Sequence, residues 1–246
     1  MKNKKSLGQH WLKNRVILDE IAELTGEGEL CLEIGPGLGT LTSSLLKRFD
    51  KVLAIEYDEN LAKNLPKSFP GKNLEVINAD ILDFDFLQIT QPYAVAGNIP
   101  YYITSPIIEK ILKAENWPKR VVLLIQKEVA ERIASEKGTL LSLFVKNRAD
   151  VKLGPVVRRD EFTPPPKVDS QVIVLEPHVP VVKDEVFKLI RRGFVAPRKK
   201  LIHNLAGLKS KEELARVFGE LDISIDSRPG DLSLADWQKL YDTICA

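Results

Sequence analysis

Between residues 29 and 125, short apolar runs alternate with segments whose apolar residues recur at helical spacing, and this alternation limits the possible folds more than any other feature of the chain. Strands are predicted at 29–34, 51–55, 74–77, 93–96 and 121–125, with helices at 40–48, 60–65 and 105–114 between them. A helix at 14–24, carried by Val16, Ile17, Ile21 and Leu24, precedes the first strand. Strands joined through helices run parallel with right-handed crossovers, so an α/β fold with a mostly parallel sheet is expected. Further on, helices are predicted at 128–134 and 140–147, and strands at 151–157 and 171–175. The Thr163-Pro164-Pro165-Pro166 loop between these last strands suits a terminal antiparallel hairpin.

Pro177-His178-Val179-Pro180 then punctuates the chain, and the remainder reads as helices at 184–194, 199–206, 211–218 and 234–244. A boundary is placed near residue 180, giving one domain over 1–180 and a small helical one over 181–246. The second has about 65 residues, a length at which a hydrophobic core is marginal.

With 44% hydrophobic and 28% charged residues, the 246-residue chain is globular in composition, neither disordered nor collagenous. Thirty-six Lys and Arg against 34 Asp and Glu leave a net charge of +2, so any footprint for a polyanion must be local. Cys31, inside an apolar run, and Cys245, next to the end, support neither a disulfide framework nor a zinc site, and a reducing cytoplasm fits. His178 and His203 lack the neighbours of a metal cluster, so no metal is expected. No signal-peptide core follows the basic N-terminus and no apolar run is long enough to span a bilayer, so no membrane partner is expected.

Glu33-Ile34-Gly35-Pro36-Gly37-Leu38-Gly39-Thr40 falls between a predicted strand and helix, where glycines permit a tight turn and close approach to a ligand. The spacing is GxGxG, one residue short of the dinucleotide fingerprint, which argues against a nicotinamide-dependent dehydrogenase. Nineteen residues beyond Gly37, the second strand ends in Glu56, whose carboxylate can accept hydrogen bonds from both ribose hydroxyls of a nucleoside. Asp80 ends the third strand region, placed to accept a hydrogen bond from an adenine amine, with Ile81 against the purine. Taken singly, the glycines suit an ordinary connection and Asp80 suits a turn cap. As an ordered set they describe a site for S-adenosylmethionine (SAM).

After the fourth strand comes Gly97-Asn98-Ile99-Pro100-Tyr101-Tyr102, at the sheet edge where α/β proteins bind ligands. An exocyclic adenine amine is a poor nucleophile because its lone pair is delocalised into the ring. Acceptors for both of its protons, the Asn98 side chain and the Pro100 carbonyl, would favour a pyramidal, nucleophilic nitrogen. Tyr101 can stack on an extruded base, so the contribution is positional and needs no general base. The plainer alternative is an Asn turn cap with tyrosines filling space between layers.

Four blocks carry a resemblance: Leu7-Gly8-Gln9-His10-Trp11-Leu12, Glu33 to Gly39, Gly97 to Tyr102, and Phe162-Thr163-Pro164-Pro165-Pro166-Lys167-Val168-Asp169-Ser170. The glycine block is general to methyltransferases and the other three are much more specific. Over residues 6–240 the chain resembles the ribosomal RNA adenine dimethyltransferase family, especially its small-subunit branch. The resemblance implies a Rossmann-like seven-stranded SAM-dependent methyltransferase sheet with a small C-terminal helical domain that helps dock rRNA. It implies that His10 and Leu12 border the methionine end of SAM, Gly35 lies in the glycine turn, Glu56 binds ribose, Asp80 reaches adenine, and Asn98 joins cofactor and catalytic sites. It also implies that Phe162 packs on the target base opposite Tyr101, and that the N-terminal segment through Leu12 covers the cofactor.

The reaction so implied transfers four methyls to two adjacent adenosines in a hairpin loop near the 3′ end of 16S rRNA in the immature 30S subunit; separately, the free protein is expected to be a monomer. His10-Trp11 replaces the Asn-Phe common in the bacterial family, Tyr102 stands where Asn is frequent, the 134–140 loop is short, and Pro197 interrupts a basic trio.

Lys4 and Lys5 belong to a basic N-terminal stretch, and 183–200 holds seven basic against two acidic residues. Arg191, Arg192, Arg198, Lys199 and Lys200 form a candidate phosphate surface, although such clusters are also ordinary solvated faces. Two alternatives stay open: a large-subunit rRNA adenine methyltransferase of the macrolide-resistance type, and a chiefly noncatalytic ribosome-assembly factor. The Phe162 to Ser170 block and the C-terminal pattern favour the small-subunit enzyme over the first, and Glu56, Asp80 and Asn98 argue against the second.

Overall fold

In a computed structural model, which describes residues 9–135 and 138–245, the predicted alternation becomes a seven-stranded sheet. Lys4 and Lys5 lie outside the described residues. The strands are β1 (Trp11–Leu12), β2 (Gly28–Ile34), β3 (Phe49–Glu56), β4 (Leu74–Asn78), β5 (Tyr93–Asn98), β6 (Arg120–Gln126), β7 (Ala149–Val157), β8 (Phe162–Thr163) and β9 (Ser170–Pro177). The helices are α1 (Arg15–Thr25), α2 (Thr42–Leu45), α3 (Glu59–Asn64), α4 (Thr104–Lys113), α5 (Lys127–Ala134), α6 (Leu140–Lys146), α7 (Asp184–Gly193), α8 (Leu201–Asn204), α9 (Lys211–Glu220) and α10 (Leu234–Cys245).

The sheet order is β4-β3-β2-β5-β6-β9-β7, parallel from β4 to β6, with β9 antiparallel to β6. The two late strands are neighbours, β7 at the edge and β9 inserted between it and β6. Residues 31–34 of β2 and 121–125 of β6 are buried without a break, as strands covered on both faces must be. Chain order runs outward from β2 to β4 on one side and from β5 to β6 on the other, so a topological switch point lies between β2 and β5. Those strands approach closely: a Cβ on Gly97 would stand 2.8 Å from the Ile34 carbonyl oxygen. Gly97 is therefore a strand residue whose missing side chain sets the approach, not only part of a turn.

Asn14 caps α1, its side chain accepting from the amides of Val16 and Ile17, and Leu18, Ile21 and Ala22 turn into the core. The predicted 40–48 helix shrinks to α2, flanked by turns whose amides bond back three or four residues. Gly39, at φ +81°, and the start of β3 at Phe49 bound the segment on either side.

The chain divides into two compact units, 1–131 with 150–177, and 132–149 with 178–246. The contiguous boundary near 180 thus needs correction, since 132–149 group with the C-terminal helices. Phe144 of α6 meets Phe187 of α7 edge-on at 5.6 Å, and fully buried Asn147 binds both backbone groups of Val182. The core of this unit closes on fully buried Trp237, with Gly193 against its ring.

Gly97→Ala is expected to lower unfolding stability by about 1–3 kcal/mol, because an inserted methyl must push β2 and β5 apart. Urea unfolding checks this. A midpoint equal to wild type would mean that the strands accept the methyl.

Candidate active site

At the carboxyl ends of β2 to β5, on both sides of the switch point, a cavity is lined by Glu33, Gly35, Glu56, Asp80, Asn98 and Tyr101 among others. All six come from strand ends or the turns that follow, which the parallel register brings to one edge of the sheet. Gly35, Gly37 and Gly39 have φ of +65°, +59° and +81°, a conformation that other residues resist. At Gly39 a Cβ would also meet Leu65 and Phe69 at 2.7 Å.

The turn fixes Glu56. The Gly37 amide donates to Glu56 Oε2 at 3.0 Å, and the Asp58 amide donates to Oε1 at 2.8 Å. Each oxygen keeps a further lone pair for a ribose hydroxyl. Burial pushes the Glu56 carboxyl up, opposed by these amides. Asp80 caps its own turn, accepting from the Leu82 amide at 2.8 Å, while also lining the cavity. The turn-cap and ligand roles are compatible, since Oδ2 is not used in that bond.

Asn98 Nδ2 donates to the His10 carbonyl at 2.9 Å. Because that partner can only accept, the amide orientation is fixed, and Oδ1 is left as an acceptor. Pro100 and Tyr101 line the same cavity. The Tyr101 hydroxyl lies 2.7 Å from Ser170 Oγ, and its ring lies beside that of His10, with centroids 6.1 Å apart and planes 21° apart. Burial raises the Tyr101 pKa. His10 Nδ1 is 2.7 Å from the Pro164 carbonyl, so this nitrogen carries a proton. Gln9, His10 and Trp11 line the cavity, and a Cβ on Gly37 would stand 3.2 Å from Trp11 Nε1.

The side chains of Leu12 and Phe162 are not among those lining the cavity. They pair across β1 and β8, are 0% and 3% exposed, and belong to the hydrophobic core. The reason is strand alternation: with Trp11 over the glycine turn, Leu12 faces the other way. In the C-terminal unit, Lys200 pairs with Asp226, Arg191 lies over the Phe187 ring, and Arg192 donates to the Ala206 carbonyl. Arg198 and Lys199 are exposed.

Glu33 was not among the expected ligand residues, although an acid within the buried run 30–34 is a signal. It lines the cavity at 1% exposure, and its Oε2 has no hydrogen-bond partner. Burial pushes its carboxyl up to about 8, with Thr42 drawing it partly back and the charge of Glu56 adding to the rise. An orphaned carboxyl beside a ribose acceptor suits the ammonium end of SAM, so the residues present fit this cofactor. Glu56 would hold ribose, Asp80 adenine, and Glu33 the amino-acid portion.

An edge of this kind belongs to the class I SAM-dependent methyltransferases, and solved structures with the same fold agree. The 23S rRNA methyltransferase ErmE superposes with a TM-score of 0.78 at 25% identity, covering 96% of this chain and 100% of its own. A dimethyladenosine transferase from Plasmodium falciparum gives 0.79 at 30% identity, covering 96% and 98%. Ribosomal RNA small subunit methyltransferase A is 38% identical in Picosynechococcus sp., over 99% of this chain and 98% of that one, and 40% identical in Clostridium acetobutylicum, over 98% and 93%. Residues 1–245 match the family Ribosomal RNA adenine dimethylase. The chain belongs to that family and is a SAM-dependent rRNA adenine N6-methyltransferase.

Glu33 generates a pH prediction. The folded state keeps a proton up to about pH 8 that the unfolded chain releases near 4.5, so this contribution to stability is full at low pH and is lost as pH rises through that window. Glu33→Gln should flatten the decline in unfolding free energy across it. SAM binding near neutral pH should release a proton from wild type but not from the variant, as calorimetry in buffers of different ionisation enthalpy would measure. Equal proton release from both would remove Glu33 from the ammonium site.

Proposed function

We propose that the protein dimethylates N6 of two adjacent adenosines in a hairpin loop near the 3′ end of 16S rRNA, acting in the cytoplasm on the immature 30S subunit and contributing to its biogenesis. The observation that carries the chemistry is the Asn98 amide, whose Nδ2 is committed to the His10 carbonyl, which leaves Oδ1 as the acceptor. Support for the small-subunit target comes from relatives named for it, which match nearly the whole chain at 38–40% identity, against 25% for the 23S enzyme.

SAM supplies an electrophilic methyl on a positively charged sulfur. The chain's part is to hold adenine N6 in line with it. Asn98 Oδ1 and the Pro100 carbonyl accept the two amine protons, drawing the lone pair out of conjugation with the ring. Tyr101, fixed through Ser170, offers the ring face turned away from His10 to the base. With SAM bound, N6 would take the methyl as the C–S bond breaks and the neutral thioether leaves, and the cationic N6 would be acidic enough to lose its proton to water. Positioning then supplies most of the rate.

Phosphate contacts are assigned to Lys4, Lys5, Arg191, Arg192, Arg198, Lys199 and Lys200, all in basic stretches. Arg198 and Lys199, exposed at the end of one such stretch, are the most available of them in the described residues. The free protein is taken to be a monomer.

Supplying labelled SAM with immature small subunits or with large-subunit rRNA, and mapping the product by mass spectrometry, tests the assignment. Paired dimethyladenosines in 16S rRNA are expected, and label confined to large-subunit rRNA would overturn it. Asn98→Ala should leave SAM binding measurable while lowering single-turnover methyl transfer roughly a hundredfold, the scale of losing one preorganised polar contact in a transition state. An unchanged single-turnover rate would exclude Asn98 from the mechanism.

A further inference from the structure

Tyr102 directly follows the tyrosine assigned to the target base, yet the two side chains are in opposite situations. Tyr101 is half-buried and committed through its hydroxyl to Ser170 and through its ring to His10. Tyr102 lines the same cavity and is 64% exposed. Among the described residues its hydroxyl has no hydrogen-bond partner and its ring has no aromatic neighbour.

The backbone beneath it is well fixed. Residues Tyr101–Ile103 form one 3-10 turn, the Ile103 amide donates to the Pro100 carbonyl at 3.3 Å, and α4 begins at the next residue with Ile107, Ile108 and Ile111 buried. Tyr102 is thus an aromatic surface held in water at the rim of a cavity built for an extruded adenine. Such a surface suits the face of another nucleobase. Extruding the target also removes the stacking partner of its neighbour in the strand, and a ring at the rim can replace it.

We propose that Tyr102 forms a second base subsite, on which the nucleobase adjoining the target adenosine stacks. The proposal rests on the assignment of an rRNA adenosine as substrate. With two adjacent adenosines, Tyr102 holds one while the other occupies the turn at Asn98.

The test is a double-substitution cycle with the full-length protein and an rRNA hairpin. Wild type and Tyr102→Ala are each given intact RNA and RNA whose adjoining nucleotide lacks its base, and RNA affinity is read from single-turnover methylation at saturating SAM. Tyr102→Ala is expected to weaken intact RNA roughly five- to a hundredfold, the range for losing one stacked base. It should leave the already weakened abasic RNA unchanged. Tyr102→Phe should bind intact RNA like wild type, and calorimetry should give Tyr102→Ala the SAM affinity of wild type, which also excludes misfolding. Equal weakening of both RNAs, or a loss of SAM affinity instead, would overturn the subsite. Methylation of large-subunit hairpins only would overturn the substrate assignment, while the same cycle on that RNA would still decide whether Tyr102 stacks.

Discussion

The close parallel pairing of β2 and β5 is the constraint on which the site depends. Gly97 lets the backbones meet with no room for a Cβ against the Ile34 carbonyl, and both strands end at the switch point. The turn after β2 carries the glycines that hold Glu56, and the turn after β5 carries Asn98, Pro100 and Tyr101. On the proposed reading, a methyl donor held by the first turn and an amine held by the second would be presented to each other by backbone geometry. Side chains refine an alignment that the sheet has already made.

That alignment comes with a local electrostatic cost. Glu33 and Glu56 are both buried and both shifted upward, and Glu33 keeps one side-chain oxygen without a partner. A buried unpartnered polar group destabilises the protein by about 1–3 kcal/mol. A cationic ligand at Glu33 would remove this penalty, so part of its binding free energy would be stored as instability of the ligand-free protein. The glycine turn is correspondingly fixed in advance, its amides already committed to Glu56, Ile55 and Pro36.

Much of this was legible in the sequence, for physical reasons. Buried parallel strands write themselves as unbroken apolar runs, and the residue ending each run must lie at the ligand edge, which located Glu56, Asp80 and Asn98 without coordinates. Contacts set by register across distant segments were not legible. Leu12 and Phe162 sit beside functional neighbours in sequence, but the two-residue alternation of β1 and β8 turns them into the core. Helix α6 follows the sheet strands along the chain, yet its apolar face is taken by Phe187 of α7, which no local pattern announces. Glu33 left a signal, as an acid in a buried run, but the signal does not say what it does. Its role appears only once its burial and orphaned oxygen are seen.

The central claim is that methyl transfer is driven by alignment at the switch point, with acceptors at N6 and no side chain acting as a base. The most direct measurement is the single-turnover rate at saturating SAM and RNA, followed from pH 7 to 9. The account predicts a flat profile, since an amide and a backbone carbonyl do not titrate there and saturating SAM has already displaced the Glu33 proton. A rate that rises tenfold per pH unit and then levels would reveal an essential base and contradict it.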